Sequence, residues 1–241
     1  MPLPKISTPT YELTLPSTEK KIKYRPFLVK EEKVLILALE SQDVKQITLA
    51  IKQVLKECIQ SRIRVEDLPS FDIEYIFLNI RAKSVSESID LVVTCSDDGT
   101  TEVPVQVYVD EIQVQKSDDH TSEIKLDDEI VIKMKYPSLD QFIKNNFDFS
   151  TQESISTIDR SFDIISSCID SIYTSDESFA ASDCTKKDLI QFIEGMNTQQ
   201  FKKIETFFET MPKLSHTFEV VNPNTKAKNS VTLEGLTSFF G

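Results

Sequence analysis

Two histidines, four cysteines and the neighbouring carboxylates, three runs of them above all, are the residues with which this chain could do chemistry. General acid–base or nucleophilic catalysis asks for a His, Cys or carboxylate pair gathered in a partly buried site. His120 stands in Lys116-Ser117-Asp118-Asp119-His120-Thr121, a polar stretch that reads as an exposed loop, and His216 follows Leu214-Ser215 at the foot of a hairpin. Surface positions are expected for both. Asp97-Asp98, Asp118-Asp119 and Asp127-Asp128-Glu129 raise the question of a metal. None of these runs has the alternating oxygen ligands around a glycine and the closing Glu of an EF-hand, so solvated turns are expected. Cys58, Cys95, Cys168 and Cys184 contain no Cys-x-x-Cys pair, and a four-ligand zinc site would have to be assembled at long range. Phosphate-cradling glycine loops, dinucleotide fingerprints and nucleophile elbows are missing from a chain with 4 glycines. No catalytic, cofactor-binding or metal-ligating residue is assigned.

Composition narrows the class further. With 241 residues, 39% hydrophobic and 27% charged, the chain has the make-up of a globular protein large enough for one domain or two small ones. The formal net charge of -12 argues against adhesion to nucleic acid or anionic membrane, both of which draw affinity from clustered Lys and Arg. Its one dense basic stretch, Lys20-Lys21-Ile22-Lys23-Tyr24-Arg25, has Glu19, Glu31 and Glu32 nearby and reads as a solvated strand edge. The first sixteen residues show no secretory signal, and no apolar run approaches the roughly 18 residues of a membrane span. An intracellular protein, or one released by lysis of a host, is expected. Scattered cysteines suit reduced, buried thiols.

The elements that would position these residues fall in three stretches. Residues 1–28, with Pro2, Pro4, Pro9 and Pro16, read as an extended arm that becomes a hairpin at 11–15 and 21–25. Residues 29–137 form an α+β region. Its first helix, 29–41, turns Val34, Leu37 and Ala38 to one face. Its second, capped by Asp43 and ending near Arg62, carries Ile47, Ile51, Val54, Leu55 and Cys58 on a buried stripe. A third helix opens at Pro69-Ser70, and its apolar positions are so many that deep burial is expected. Two β-rich runs, 88–95 and 102–109, flank the polar turn 96–101 as a hairpin, and 111–114 and 128–135 alternate well enough to add strands. Residues 138–241 read as mainly helical: 139–146, then 151–173 with Ile155, Ile158, Phe162, Ile165, Ile169 and Ile172 at helical spacing. A loop over 174–183 follows, then a helix from Thr185 with Asp188 completing a capping box. Another helix starts at Thr198, with Phe201, Ile204, Phe207, Phe208 and Met211 packing the core. A second hairpin turns at Asn222-Pro223-Asn224-Thr225, and a short apolar helix over 233–240 follows.

Several phrases in a fixed order carry a resemblance across nearly the whole chain: Leu3-Pro4; residues 23–33, Lys23-Tyr24-Arg25-Pro26-Phe27-Leu28-Val29-Lys30-Glu31-Glu32-Lys33; Phe71-Asp72-Ile73-Glu74-Tyr75-Ile76-Phe77-Leu78 with Arg81-Ala82-Lys83-Ser84; and Leu233-Glu234-Gly235-Leu236 with Phe239-Phe240. Together they resemble the baseplate protein family of T4-like tailed bacteriophages. The resemblance implies a part in building the central hub of the contractile-tail baseplate, as a hub component or an assembly chaperone, with no enzymatic activity. It implies partners among other baseplate hub or tail proteins, neither nucleic acid nor membrane, and leaves a homo-oligomer open. The expected location is the host cytoplasm during assembly, with the virion as the alternative. The resemblance also implies that some relatives carry cysteine pairs at two hairpin tips, as in a zinc ribbon; here Cys95 stands alone, Asp98 takes the neighbouring position, and the second tip reads Val221-Asn222-Pro223-Asn224. The expected fold is therefore α+β, helix-rich, with a small antiparallel or mixed sheet and two polar-tipped hairpins of degenerate zinc-ribbon type. The expected docking surface is the arm over 2–25 with the apolar end around Phe239 and Phe240. The rival reading is a zinc-ribbon-like nucleic-acid-binding or cryptic enzyme module.

Overall fold

The computed structural model describes residues 6–141, 143, 157–235 and 238. The fold is α+β, with helices packed on small antiparallel sheets. Two compact units divide the chain: Met1–Gln115 with Lys213–Gly241, and Lys116–Pro212. The second unit is thus an insertion within the first. The sequence-based stretches at 28 and 137 follow changes in element type, whereas these units follow contact.

The first unit begins with β1 (Tyr11–Thr14) and β2 (Lys21–Tyr24), an antiparallel hairpin. Lys21 and Lys23 point to solvent while Ile22 and Tyr24 are buried, the alternation a one-sided strand requires. The arm is therefore core as well as edge: Leu13, Leu15, Ile22 and Tyr24 are each under a tenth exposed. The hairpin half of the expected docking arm over 2–25 thus packs its apolar side into the first unit; residues 1–5 and Phe239 and Phe240 lie outside the described residues.

Helices α1 (Val29–Ser41) and α2 (Val44–Cys58) follow, joined through Gln42, whose φ of 52° ends the first in the left-handed region. Asp43 caps α2 by accepting the Lys45 N–H at 2.8 Å. α2 stops at Cys58, short of Arg62, because Ile59 turns extended to bridge Tyr24 of β2. Arg25 sits at this junction: its Nη2 lies 2.9 Å from Glu31 Oε1, and Glu31 Oε2 accepts the Leu28 N–H at 2.7 Å. Glu31 is buried, and burial pushes its carboxyl up. The Arg25 guanidinium, the Leu28 N–H and Lys30 outweigh that and bring it down to about 2.

Next comes α3 (Ser70–Ser84), where Ile73, Ile76, Leu78 and Ile80 are fully enclosed. Four such side chains lie on more than one face, so α3 is a central helix rather than a covering one. Each contributes about 1.5–3 kcal/mol by burial. Its Asp72, also fully buried, accepts the Ser17 N–H at 3.0 Å and the Ser17 hydroxyl, which pins the β1–β2 turn to the helix. Two antiparallel ribbons complete the unit: β3 (Ser88–Thr94) with β4 (Glu102–Tyr108), and β10 (Lys213–Val221) between β11 (Lys228–Glu234) and β5 (Gln113–Gln115). β5 is shifted from the expected 111–114 because Val109–Glu111 form a 3-10 turn. Leu233 and Glu234 belong to β11 rather than to a closing helix; Leu236 and the Phe residues expected in that helix lie outside the described residues.

The inserted unit is a four-stranded antiparallel sheet, order β6-β7-β8-β9, formed by Glu123–Lys125, Val131–Met134, Ile169–Tyr173 and Ser178–Ala180. Helices α4 (Thr157–Cys168), α5 (Lys186–Glu194) and α6 (Thr198–Thr210) belong to the same unit. The single helix expected over 151–173 is corrected here: Ile169 and Ile172 leave α4 for β8, where Ile172 pairs with Ile132. Ile-Asp-Ser-Ile fits an i, i+3 helical repeat as well as a short strand, and the β-branched ends settle for the sheet. Residues 151–156 and half of the expected 139–146 helix, 142 and 144–146, lie outside the described residues; 139–141 and 143 are helical. Thr185 and Asp188 form the reciprocal capping box, and Ile204 and Phe207 of α6 are buried with Ile132, Met134 and Ile169 in the core of the unit.

Candidate functional site

Three hairpins close with related turns, six residues long in the first and third and seven in the second. In the first, the Leu15 N–H donates to Lys20 C=O and the Glu19 N–H to Leu15 C=O, both at 2.9 Å. In the second, Cys95 N–H reaches Thr101 C=O at 2.8 Å and Gly99 N–H reaches Cys95 C=O at 2.9 Å. In the third, Asn222 N–H reaches Ala227 C=O and Lys226 N–H reaches Asn222 C=O, both at 2.9 Å. The fifth residue of each is left-handed, with φ of 58° at Glu19, 66° at Gly99 and 63° at Lys226. Turns of this kind, ending in a left-handed residue, are ordinary hairpin closures. What differs is what each turn docks on.

The first docks on Asp72 of α3; the other two dock on one another. Asn222, fully buried, gives one amide proton to Asp97 Oδ1 and one to Asp98 Oδ2, both at 2.9 Å. Its oxygen accepts the Asn224 N–H at 2.8 Å and the Thr225 N–H at 3.3 Å, so all four bonding positions of the amide are used. The Thr225 hydroxyl donates to Asp97 Oδ2, and Asn224 Nδ2 donates to Thr101 Oγ1 at 2.9 Å. From the back of the cluster, Asn229 Oδ1 accepts both the Ser96 hydroxyl and the Asp97 N–H at 2.9 Å. Asp98 also closes its own turn, accepting the Thr100 and Thr101 N–H groups at 3.1 and 3.0 Å. Val93, Cys95 and Val220 are buried beneath this clasp, with Val103, Val105, Phe218 and Val231 packed against them.

Electrostatics follow from these bonds. The Thr101 hydroxyl and N–H, then Asn222, hold the Asp98 carboxyl well below the usual range. Asp97 is lowered by the Thr225 hydroxyl and by Asn222. The Cys95 thiol moves the other way, raised by burial and by the two carboxylates, and is fully shielded from solvent. A zinc ribbon places ligands at the first and fourth positions of two such turns, here Cys95, Asp98, Asn222 and Thr225. A single thiol with one carboxylate, one amide and one hydroxyl, the last three already bonded in the clasp, does not fit a zinc ion. Among the described residues no cluster of three or more His, Cys, Asp or Glu could hold a metal.

The histidines are corrected from surface positions to half-buried ones. His120 lies against Phe207 and Tyr136, with ring centroids 5.0 and 5.6 Å away, its Nδ1 3.0 Å from Thr210 Oγ1 and its Nε2 3.0 Å from Tyr136 Oη. Burial lowers its pKa, and both nitrogens are engaged in structure. His216 stacks on Phe218 at 5.5 Å with Glu111 3.8 Å from its Nε2. Asp127 caps its own turn through the Glu129 and Ile130 N–H groups, and Asp128 pairs with Lys125 at 2.9 Å. Neither histidine is brought to a cysteine or to the Asp97–Asp98 pair.

A second feature escaped the periodicity reading. α1 buries only Glu31 and Ala38 and exposes Val29, Ile36, Leu37 and Leu39, with Leu49 of α2 also open. Leu37, expected on the inner face, is 54% exposed. The signal was in the sequence: six consecutive apolar residues, Val34 to Leu39, cannot all face one side of a helix.

Two hairpins bonded tip to tip through neutral amides and carboxylates define an α+β protein held together by a polar clasp, with no helix among the described residues long and apolar enough to cross a membrane. The family model described as T4 bacteriophage base plate protein matches residues 8–241. The chain belongs to that family. No curated protein and no solved structure matches it.

Proposed function

We propose that this baseplate protein acts without catalysis in assembly of the hub of the contractile tail, through protein–protein contacts, as a hub component or an assembly chaperone. The observation that carries this reading is the exposed apolar face of α1. Four aliphatic side chains open to water on one helix, with Leu49 also exposed on the following helix α2, make apolar surface of the kind that marks protein contact sites. Charge supports the same surface. The α1–α2 pair, residues 29–58, carries five lysines and five carboxylates and is neutral, within a chain of net charge -12. A neutral apolar patch on an acidic protein is where a partner can approach without like-charge repulsion.

The test is complementation in a phage that encodes this protein. Ile36→Glu with Leu37→Glu keeps the circular dichroism and unfolding midpoint of the parent and blocks tail assembly. Normal plaque yield from a phage carrying both changes overturns the reading. Mass spectrometry of purified particles then separates the two roles, since a subunit is present in fixed copy number and a chaperone is missing.

A further inference from the structure

We propose that the clasp takes the place of a metal ion: residues 95, 98, 222 and 225 are a four-ligand frame for a tetrahedral, thiolate-bound divalent cation, in which hydrogen bonds now make the cross-link. The turn alone does not argue this, because the β1–β2 hairpin has a related closure and docks on Asp72. The argument is that only the other two turns face each other. Asp98 at the fourth position of one touches Asn222 at the first position of the other at 2.9 Å, and Thr225 reaches across to Asp97. Cys95, at the remaining first position, is fully shielded beneath them.

The apolar layer under the tips is small, with Val93, Cys95 and Val220 its buried members. Two hairpins with so little between them need a cross-link from metal, disulfide or a dense polar network. The clasp is that network, and it is complete: Asn222 has no bonding position left for a cation. The inference stands apart from the α1 surface and the assembly role.

Restoring the thiols tests it. The full chain carrying Asp98→Cys, Asn222→Cys and Thr225→Cys takes up one Co(II) per chain, with the visible bands of tetrahedral thiolate coordination, and Zn(II) displaces it. The parent takes up none. If the triple variant does not fold, the Asp98→Cys, Asn222→Cys pair, which keeps the Thr225–Asp97 bond, is read instead; with Cys95 it offers three thiolates and binds Co(II) with weaker bands. A folded variant of either kind that binds no Co(II), failure of both variants to fold with Zn(II) present, or stoichiometric metal in the parent as purified overturns the proposal.

Discussion

The side-chain amide of Asn222 lies 2.9 Å from the carboxylate of Asp98, although 124 positions of sequence separate them. Asn222→Ala removes that donor and its bond to Asp97, and lowers stability by about 1–3 kcal/mol. Asn222→Asp is worse at pH 7, because it sets a third carboxylate against two. The new carboxyl has a folded pKa above its unfolded value, so its penalty is full at high pH and fades as pH falls to the unfolded value near 4. Urea midpoints of the two variants therefore differ at pH 7 and converge at pH 4. A gap that stays constant across that range contradicts the arrangement.

Glu31 gives the parent its own acid sensitivity. Its carboxyl is lowered from 4.5 to about 2, so its contribution is complete above pH 4.5 and is lost as pH falls toward 2. By linkage this is worth up to about 3 kcal/mol. Glu31→Gln takes the buried carboxylate from the Arg25 guanidinium and leaves it only the half-exposed Glu57, 3.8 Å away; it lowers the unfolding midpoint at pH 7 and flattens the slope between pH 5 and 3. An unchanged slope in chemical denaturation would show that other carboxylates govern it.

Thiol chemistry separates the cysteines. Burial pushes Cys58 up to about 11 and Cys168 up to about 12, and Cys95 is shielded and raised, whereas Cys184 is half-exposed. In native protein at pH 8, an aromatic disulfide reagent titrates one thiol rapidly and the other three only on unfolding. Cys184→Ser removes the rapid phase. A rapid phase that survives that substitution assigns the reactivity wrongly.

Truncation checks the N-terminal hairpin. Leu13→Ala and Leu15→Ala each cost about 2–4 kcal/mol, since both side chains are buried. Deleting residues 1–20 removes β1 and Ser17 and leaves the buried carboxylate of Asp72 without two of its donors. The deleted protein loses cooperative unfolding of the first unit, seen as a lower midpoint or a lost transition in circular dichroism.

Local signals carried far into this fold, and distant pairings did not. Asp43, Thr185 and Pro69 mark helix starts by chemistry confined to a few residues, and each start is where the sequence places it. Asn222-Pro223-Asn224-Thr225 and Ser96-Asp97-Asp98-Gly99 are legible as turns for the same reason. That the turns meet was not legible, because nothing in either tetrapeptide encodes a contact more than a hundred residues away. Ile169 failed differently: its spacing suits helix and strand alike, and only pairing with β7 decides between them. His120 lies in a loop as expected, and it read as exposed because its partners, Tyr136, Phe207 and Thr210, are 16 or more positions away.

Lys213 of β10 stands opposite Gln115 of β5, so the inserted unit begins and ends at neighbouring points of one ladder. This fixes an order of events during synthesis. Residues 116–212 leave the ribosome as a contiguous stretch and can complete their own sheet, while the earlier unit still lacks β10 and β11. Until those strands arrive, β5 has no strand to pair with and the Asp97–Asp98 tip lacks Asn222, Thr225 and Asn229. The first unit therefore starts at the beginning of the chain and is complete only with its last strands, so its finished surface needs both ends of the sequence.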